Sequence, residues 1–421
     1  MINGEGAVFR PDSYDYLRLA DGLASEGVYG PGEIFRAPGY PLFLSLFYST
    51  TGSVIFVAII QVLIDVGTCL LTFSLIFKIT GNRKVAFAGF IISIFSIVNI
   101  AFSSLLLSET LYTFLLVLFF NFYYQFFTKE DQRISKILLL SFIFICLVYV
   151  RAISTLYFPL VIIFLLSMKK YRESLIFSAA VLLVCGLWVV RNSSVANFRG
   201  FSSVSSINLY RYNACLLLAK KNGISVSEQR ELIDKEFQSL GSHNEVVALA
   251  KRKGLSTILS DPLYYTYLHF KSNVSNFAPA IGDYLKNCGV LIGGNDTLSV
   301  VQSEGVLSGI KNYLRGNYRL MFLLVPATIV LLTVYFAMGS AVFFKLKSRS
   351  INRFECFLLL TFFYFMMVPG PASHPRFRVP AGPVIAYFAA FGICRFLKTD
   401  DLFENDKSSA QEVKNECNSG S

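Results

Sequence analysis

The sequence predicts an all-α polytopic membrane protein, and three observations carry that prediction. Hydrophobic residues make up 54% of the 421 and charged residues only 15%, more apolar surface than a soluble domain of this length can bury. Nine apolar runs recur, at 54–79, 85–107, 110–127, 137–150, 154–167, 175–190, 320–344, 354–368 and 379–396. Basic residues gather in alternate loops between those runs, as membrane topology requires.

Taken in order, residues 1–53 are a polar first loop with a re-entry segment, and 54–190 hold six transmembrane helices. Residues 191–317 form a mostly helical outer segment, 318–396 hold three more helices, and 397–421 are a polar tail expected to be disordered and cytoplasmic. The runs on either side of Arg151 are short for a span of ~20 residues and are expected to tilt or break. Alternation places Lys78, Arg83 and Lys84 on one side with Lys129, Arg133 and Lys136. Lys169, Lys170 and Arg172, and then Lys345, Lys347, Arg349 and Arg353, fall on that same side, the cytoplasm by the positive-inside rule. The outer side receives the first loop, Ser108-Glu109, Arg151, residues 191–317 and residues 369–378. The N-terminus is then outside with no helix to deliver it, so one further span is expected ahead of Met1.

Within the outer segment, 226–240, 244–260 and 261–270 have helical amphipathic spacing, and Asp261 before Pro262 reads as a helix start. Tyr264, Tyr265, Tyr267 and Phe270 give the last of these an aromatic face, suited to the headgroup level or to packing. Asn192, Asn273 and Asn295 each open an N-glycosylation pattern.

The charge balance of 38 Lys and Arg against 27 Asp and Glu is spent on topology, and no nucleic-acid partner is expected. Cys69, Cys146, Cys185, Cys356 and Cys394 lie in apolar runs as packing residues. Cys215 and Cys288 are the pair that an oxidising compartment would join. No metal-ligand spacing, nucleotide loop or serine triad is present; the loop acids leave a divalent cation open, and no cofactor is required.

Candidate chemistry lies in the outer loops. Asp12, with Asp15 behind it, offers a carboxylate for general-base work on a hydroxyl, or else caps the helix that begins there. Glu109 is a second acid at the start of a membrane helix, where it also suits the helix dipole. His374, Arg376 and Arg378 precede the last run, and arginines two apart grip a phosphate through charge-assisted hydrogen bonds, or anchor headgroups. Arg151 and Arg191 add positive charge on that side. Asp65, one turn after Gln61, is an ionisable group inside a run and is expected to tie helices together.

Together, Asp12 with Tyr16 and Ala20, Arg36-x-Pro-x-Tyr40-Pro41, Gln61, Ser108-Glu109, Arg151, Trp188-x-x-Arg191-Asn192 and Arg376-x-Arg378-x-Pro380 resemble bacterial membrane glycosyltransferases of the GT-C superfamily. The branch they resemble is related to protein O-mannosyltransferases and to the lipid A aminoarabinose transferase, over residues 11–396. The resemblance implies an inverting glycosyltransferase that takes sugar from a polyprenyl-phosphate donor to a hydroxyl of a glycan, lipid or protein. Its place would be the outer face of the bacterial cytoplasmic membrane, among membrane lipids. It further implies Asp12, or failing it Asp15, as base and Glu109 as second acid; beside it, Arg36, Tyr16 and Tyr40 are expected to shape the loop, and Arg376, Arg378, Arg191, His374 and Arg151 to bind the donor phosphate. The first helix of that family is missing, and Glu109 stands where its best-known branches carry Asp. Two other expectations remain open: a lipid-linked oligosaccharide flippase or transporter, and an O-antigen polymerase or ligase using a diphosphate-linked donor.

Overall fold

The structure, a computed structural model, describes residues 8–30, 33–128, 133–279, 300, 304–315 and 321–397. Among them every regular element is a helix. In chain order these begin α1 (Pro11–Glu26), α2 (Gly39–Thr51), α3 (Val54–Thr80), α4 (Arg83–Ile94), α5 (Ile97–Ser103), α6 (Glu109–Thr128), α7 (Ile134–Val150), α8 (Ser154–Ser167) and α9 (Tyr171–Ala196). Shorter helices follow, and then Met321–Lys347, Arg353–Met367 and Gly382–Phe396.

Each apolar run is largely helical where described, the second as two pieces, α4 and α5, followed by non-helical residues 104–107. Among the described residues four helices, Val54–Thr80, Tyr171–Ala196, Val325–Lys347 and Pro375–Phe396, are long and apolar enough to cross a membrane. α4 and α5, bent by 52° at their break, would make a fifth if they form one span. Arg151 adopts extended backbone and separates α7 from α8, so the two short runs do break there. These helices mark a membrane-embedded helical protein.

The first stretch departs from the expected loop, because 1–53 contain two helices. Pro11 at the first helical position presets φ for α1, and left-handed Gly27 at φ 66° ends it. Ser13, Tyr16, Leu19 and Ala20 recur at helical spacing and are buried, so burial of one face holds a segment whose other face is polar. α2 then runs into α3 across Gly52-Ser53, Ser53 accepting from Phe56 N as cap.

Interior contacts fix the remainder. Gly39 lies so close to α7 that a Cβ would sit 2.7 Å from the Tyr149 carbonyl; this proximity sets the start of α2 just after Arg36. At the other end Gly392 lies against Ala337, where a Cβ would sit 2.1 Å from the carbonyl oxygen. The three amphipathic stretches expected within residues 191–317 are the helices Val226–Gln238, His243–Ser260 and Pro262–Ser272. Asp261 caps the last, accepting from Tyr264 N, as its sequence predicts. Tyr264, Tyr267 and Phe270 are exposed, whereas Tyr265 turns inward and donates to Asn213.

The bundle has two unlike ends. At one, Tyr124 donates to the Lys78 carbonyl, Lys170 lies over Phe126 and Arg353 donates to the Ser167 carbonyl. These contacts gather the described flanks of the four basic loops: the ends of α3, α6 and α8 and the start of the Arg353–Met367 helix. The opposite end carries α1, the start of α6, Arg151 and the Pro375–Ala381 turn.

Several expectations fail. Cys215 is a buried free thiol that donates to the Val226 carbonyl, so the compact outer core uses it for packing; Cys288 lies outside the described residues. The N-glycosylation pattern carried no expectation of a glycan, and Asn192 and Asn273 are fully buried, donating to the carbonyls of Gly200 and Phe201 and of His269 and Met367. Asn295 and the tail from residue 398 lie outside the described residues. Asp65 is half-buried and makes no hydrogen bond or ion pair with the described residues, so it ties no helices together.

Candidate functional site

α1 presents Asp12 and Asp15 one turn apart on one face, and Arg36 enters between them. Its Nη2 lies 2.7 Å from Asp12 Oδ1 and 3.0 Å from Asp15 Oδ2. Arg376 approaches Asp12 from the far end of the chain, with Nη1 2.7 Å from Oδ2. Arg376 Nε lies 3.8 Å from Glu109 Oε1, and Arg151 Nη1 lies 2.7 Å from the same oxygen. Three carboxylates and three guanidiniums thus alternate in one chain. Asp15 is 46% exposed at its outer end and Glu109 only 3% at its inner end.

The backbone is arranged to hold this chain. Neither Asp12 nor Asp15 caps α1, because Ser13 accepts from Arg10 N instead, which frees both carboxylates for arginine. Ser13 also donates to the Leu106 carbonyl and pins α1 beside the start of α6. The Arg36 guanidinium lies over Tyr16, 4.9 Å from its ring centre, and Tyr16 packs edge-on against Tyr40. Tyr40 is fully buried and donates to Gln61, which in turn donates to the Ser103 and Leu105 carbonyls. Tyr16 and Tyr40 therefore support Arg36 in series.

Burial alone would raise the Asp12 carboxyl, but Arg376 and Arg36 outweigh it and hold it well below the usual carboxylate range. Asp12 is accordingly ionised at every physiological pH. It becomes an effective proton acceptor only when a competing anion draws one arginine away.

Arg378 and Arg191 are not in this chain. Arg378 is 3% exposed and donates to the Asn276 and Ala278 carbonyls and to Tyr335. Arg191 donates to the Glu33, Tyr29 and Gly30 carbonyls and lies over Trp188. Both guanidiniums are engaged by backbone carbonyls, and neither joins the Asp12 chain. His374 caps the Pro375–Ala381 turn by accepting from Arg376 N, and so positions Arg376.

Sequence reasoning missed the clamp beneath that turn. Asn273 accepts from Gly370 N and Ser373 Oγ, while Asn276 accepts from His374 N and donates to the Met366 carbonyl. Their only signal was two asparagines three residues apart.

Beside the chain opens a cavity of about 360 Å³ lined by Asp15, Arg18, Gly30, Glu33, Ile34, Phe35, Arg36 and His243. Burial holds His243 below its ordinary imidazole value, and its Nε2 meets Ser203 Oγ at 3.0 Å. Mixed carboxylate and guanidinium charge with an imidazole suits a polyhydroxylated ligand more than an acyl chain. Among the described residues no three His, Cys, Asp or Glu side chains converge as metal ligands; a cation would have to displace arginine from Asp12 and Asp15.

No protein-family model matches the chain, and no curated protein is significantly similar to it.

Proposed function

We propose that this protein is a glycosyltransferase that uses a polyprenyl-phosphate sugar and works at the outer face of a bacterial cytoplasmic membrane. The observation that carries the reading is Asp12 held between Arg36 and Arg376, close to Glu109. In this reading the nine helical runs all span, the end with the four basic turns faces the cytoplasm, and the Asp12 chain faces outward.

The donor phosphate takes Arg376 from Asp12, using a guanidinium that is 29% exposed and hence accessible. Asp12, relieved of one cation, accepts the proton of the acceptor hydroxyl. The hydroxyl oxygen forms its bond to the anomeric carbon as the bond from that carbon to the phosphate oxygen breaks, and the configuration inverts. Arg376 receives the charge that builds on the leaving phosphate. Arg36 keeps Asp12 oriented, while Glu109 and Arg151 hold Arg376 from behind. The adjoining cavity takes the sugar or the acceptor.

Purified protein supplied with matched monophosphate- and diphosphate-linked donors tests this assignment. Transfer from the monophosphate alone supports it; transfer from the diphosphate alone favours the polymerase or ligase reading. A transporter remains a second reading because Asp65 sits in a span without an ion pair. Asp65→Asn in cells should leave a transferase active and disable a transporter.

A further inference from the structure

The Pro262–Ser272 helix buries one side and leaves the other bare. Leu268 and Ser272 are buried and Tyr265 turns inward, whereas Leu263, Tyr267 and Phe270 are 85%, 58% and 58% exposed. Positions 263, 267 and 270 share one helical face, and Val274, just beyond the helix, is 49% exposed. Lys271 flanks this stripe and is exposed, and its long stem lets the ammonium reach toward headgroups.

Contacts at the end of the helix fix its level in the bundle. His269 Nε2 donates to the Met367 carbonyl at 2.8 Å, and the rise of the Arg353–Met367 helix carries Met367 about 21 Å from Arg353. Asn273–Phe277 follows as one short turn, and the Phe277 ring packs edge-on against Tyr335 at 5.5 Å. Tyr335 lies within the Val325–Lys347 helix, about 18 Å from Lys347 at the same rise. Lys345 approaches Glu355 at 2.7 Å, so Lys347 and Arg353 belong to one end of the bundle. Two separate paths therefore place the last turn of Pro262–Ser272 about 20 Å from that end. In a hydrocarbon core ~30 Å thick, this is the half of the bilayer away from the basic turns. There the Val325–Lys347 helix exposes Ile329 and Leu332, so the stripe stands at the level of an outward apolar belt. An exposed side chain at this depth meets acyl chains, not water.

We propose that the Pro262–Ser272 helix docks on phospholipid of the leaflet opposite the basic turns. Phe270 and Val274 insert among acyl chains, while Tyr264 and Tyr267, farther from the fixed end, lie at the headgroups with their hydroxyls in water. Asn273 and Asn276 follow directly, so the clamp under the Arg376 turn is anchored to lipid. The inference rests on Val325–Lys347 crossing the membrane and is independent of the transfer reaction.

The test uses full-length protein in phosphatidylcholine nanodiscs without a sugar donor. The chain has one tryptophan, Trp188, so the emission added by Phe270→Trp, Val274→Trp or Phe336→Trp is obtained by difference from unmodified protein of equal melting temperature. All three positions are exposed, and Phe336 reports the span itself. Phosphatidylcholine brominated on its acyl chains should quench the emission added at 270 and 274 to the same fraction as that added at 336, and acrylamide should quench it little. Quenching at 270 and 274 by acrylamide and not by brominated lipid means a face in water. Quenching by neither means a face covered by protein, either a second copy or another part of this chain. Each of these results overturns the proposal and leaves the span standing, provided Phe336→Trp responds to brominated lipid. Loss of that response overturns the span, and the proposal with it.

Discussion

Asp12 is held by two guanidiniums before any substrate arrives, and this has a consequence for pH. A carboxyl lowered in the folded state contributes stability above its unfolded value near pH ~4, and loses it only as pH falls through the lower folded value. Between about pH 5 and 8 Asp12 should therefore contribute a constant amount. His243 behaves differently, since its lowered value means that the unfolded chain binds the proton first. Stability should fall as pH drops below about 6.5 toward the folded value. His243→Gln should flatten this part of a melting-temperature profile, and an unchanged slope would contradict it. The acids and arginines of the chain were legible because charge beside apolar sequence demands a reason. That Arg378 and Arg191 stand outside the chain was not legible, because a sequence does not show which guanidiniums are engaged by backbone carbonyls.

Among elements, the turn carrying Arg376 depends on Asn276 and the segment carrying Arg36 on Gly39. Asn276→Ala removes the acceptor of His374 N and the donor to Met366, and should cost about 1–3 kcal/mol as well as displacing Arg376. Transfer should then fall more through donor KM than through Asp12 chemistry, and an unchanged KM would count against the clamp. Gly39→Ala drives a Cβ into the Tyr149 backbone and should cost about 1–3 kcal/mol by overpacking, measured by thermal unfolding. Apolar periodicity announced the helices of the bundle. α1 was less legible, since its one buried face is short and its polar face reads as a loop. The asparagine clamp was hidden because a buried amide and a surface glycan acceptor have the same local sequence.

Across the whole molecule, the proposed reading turns the end of the bundle with the basic turns to the cytoplasm and the Asp12 end outward, by the positive-inside rule. Basic loop composition made this asymmetry readable, whereas the convergence of residues 12, 36, 109, 151 and 376 required the fold. In a background without native cysteines, a cysteine placed at Arg349 should be labelled only after the membrane is made permeable, and one at Tyr267 from outside in intact cells. The reverse pattern would invert the topology and move the Asp12 chain to the cytoplasm.

The most direct measurement follows acceptor-dependent release of polyprenyl phosphate from a polyprenyl-phosphate sugar, comparing unmodified protein with Asp12→Asn of equal melting temperature. The account predicts steady release by the first and a rate lower by roughly 10²-fold or more in the second. Equal rates in the two proteins would contradict it.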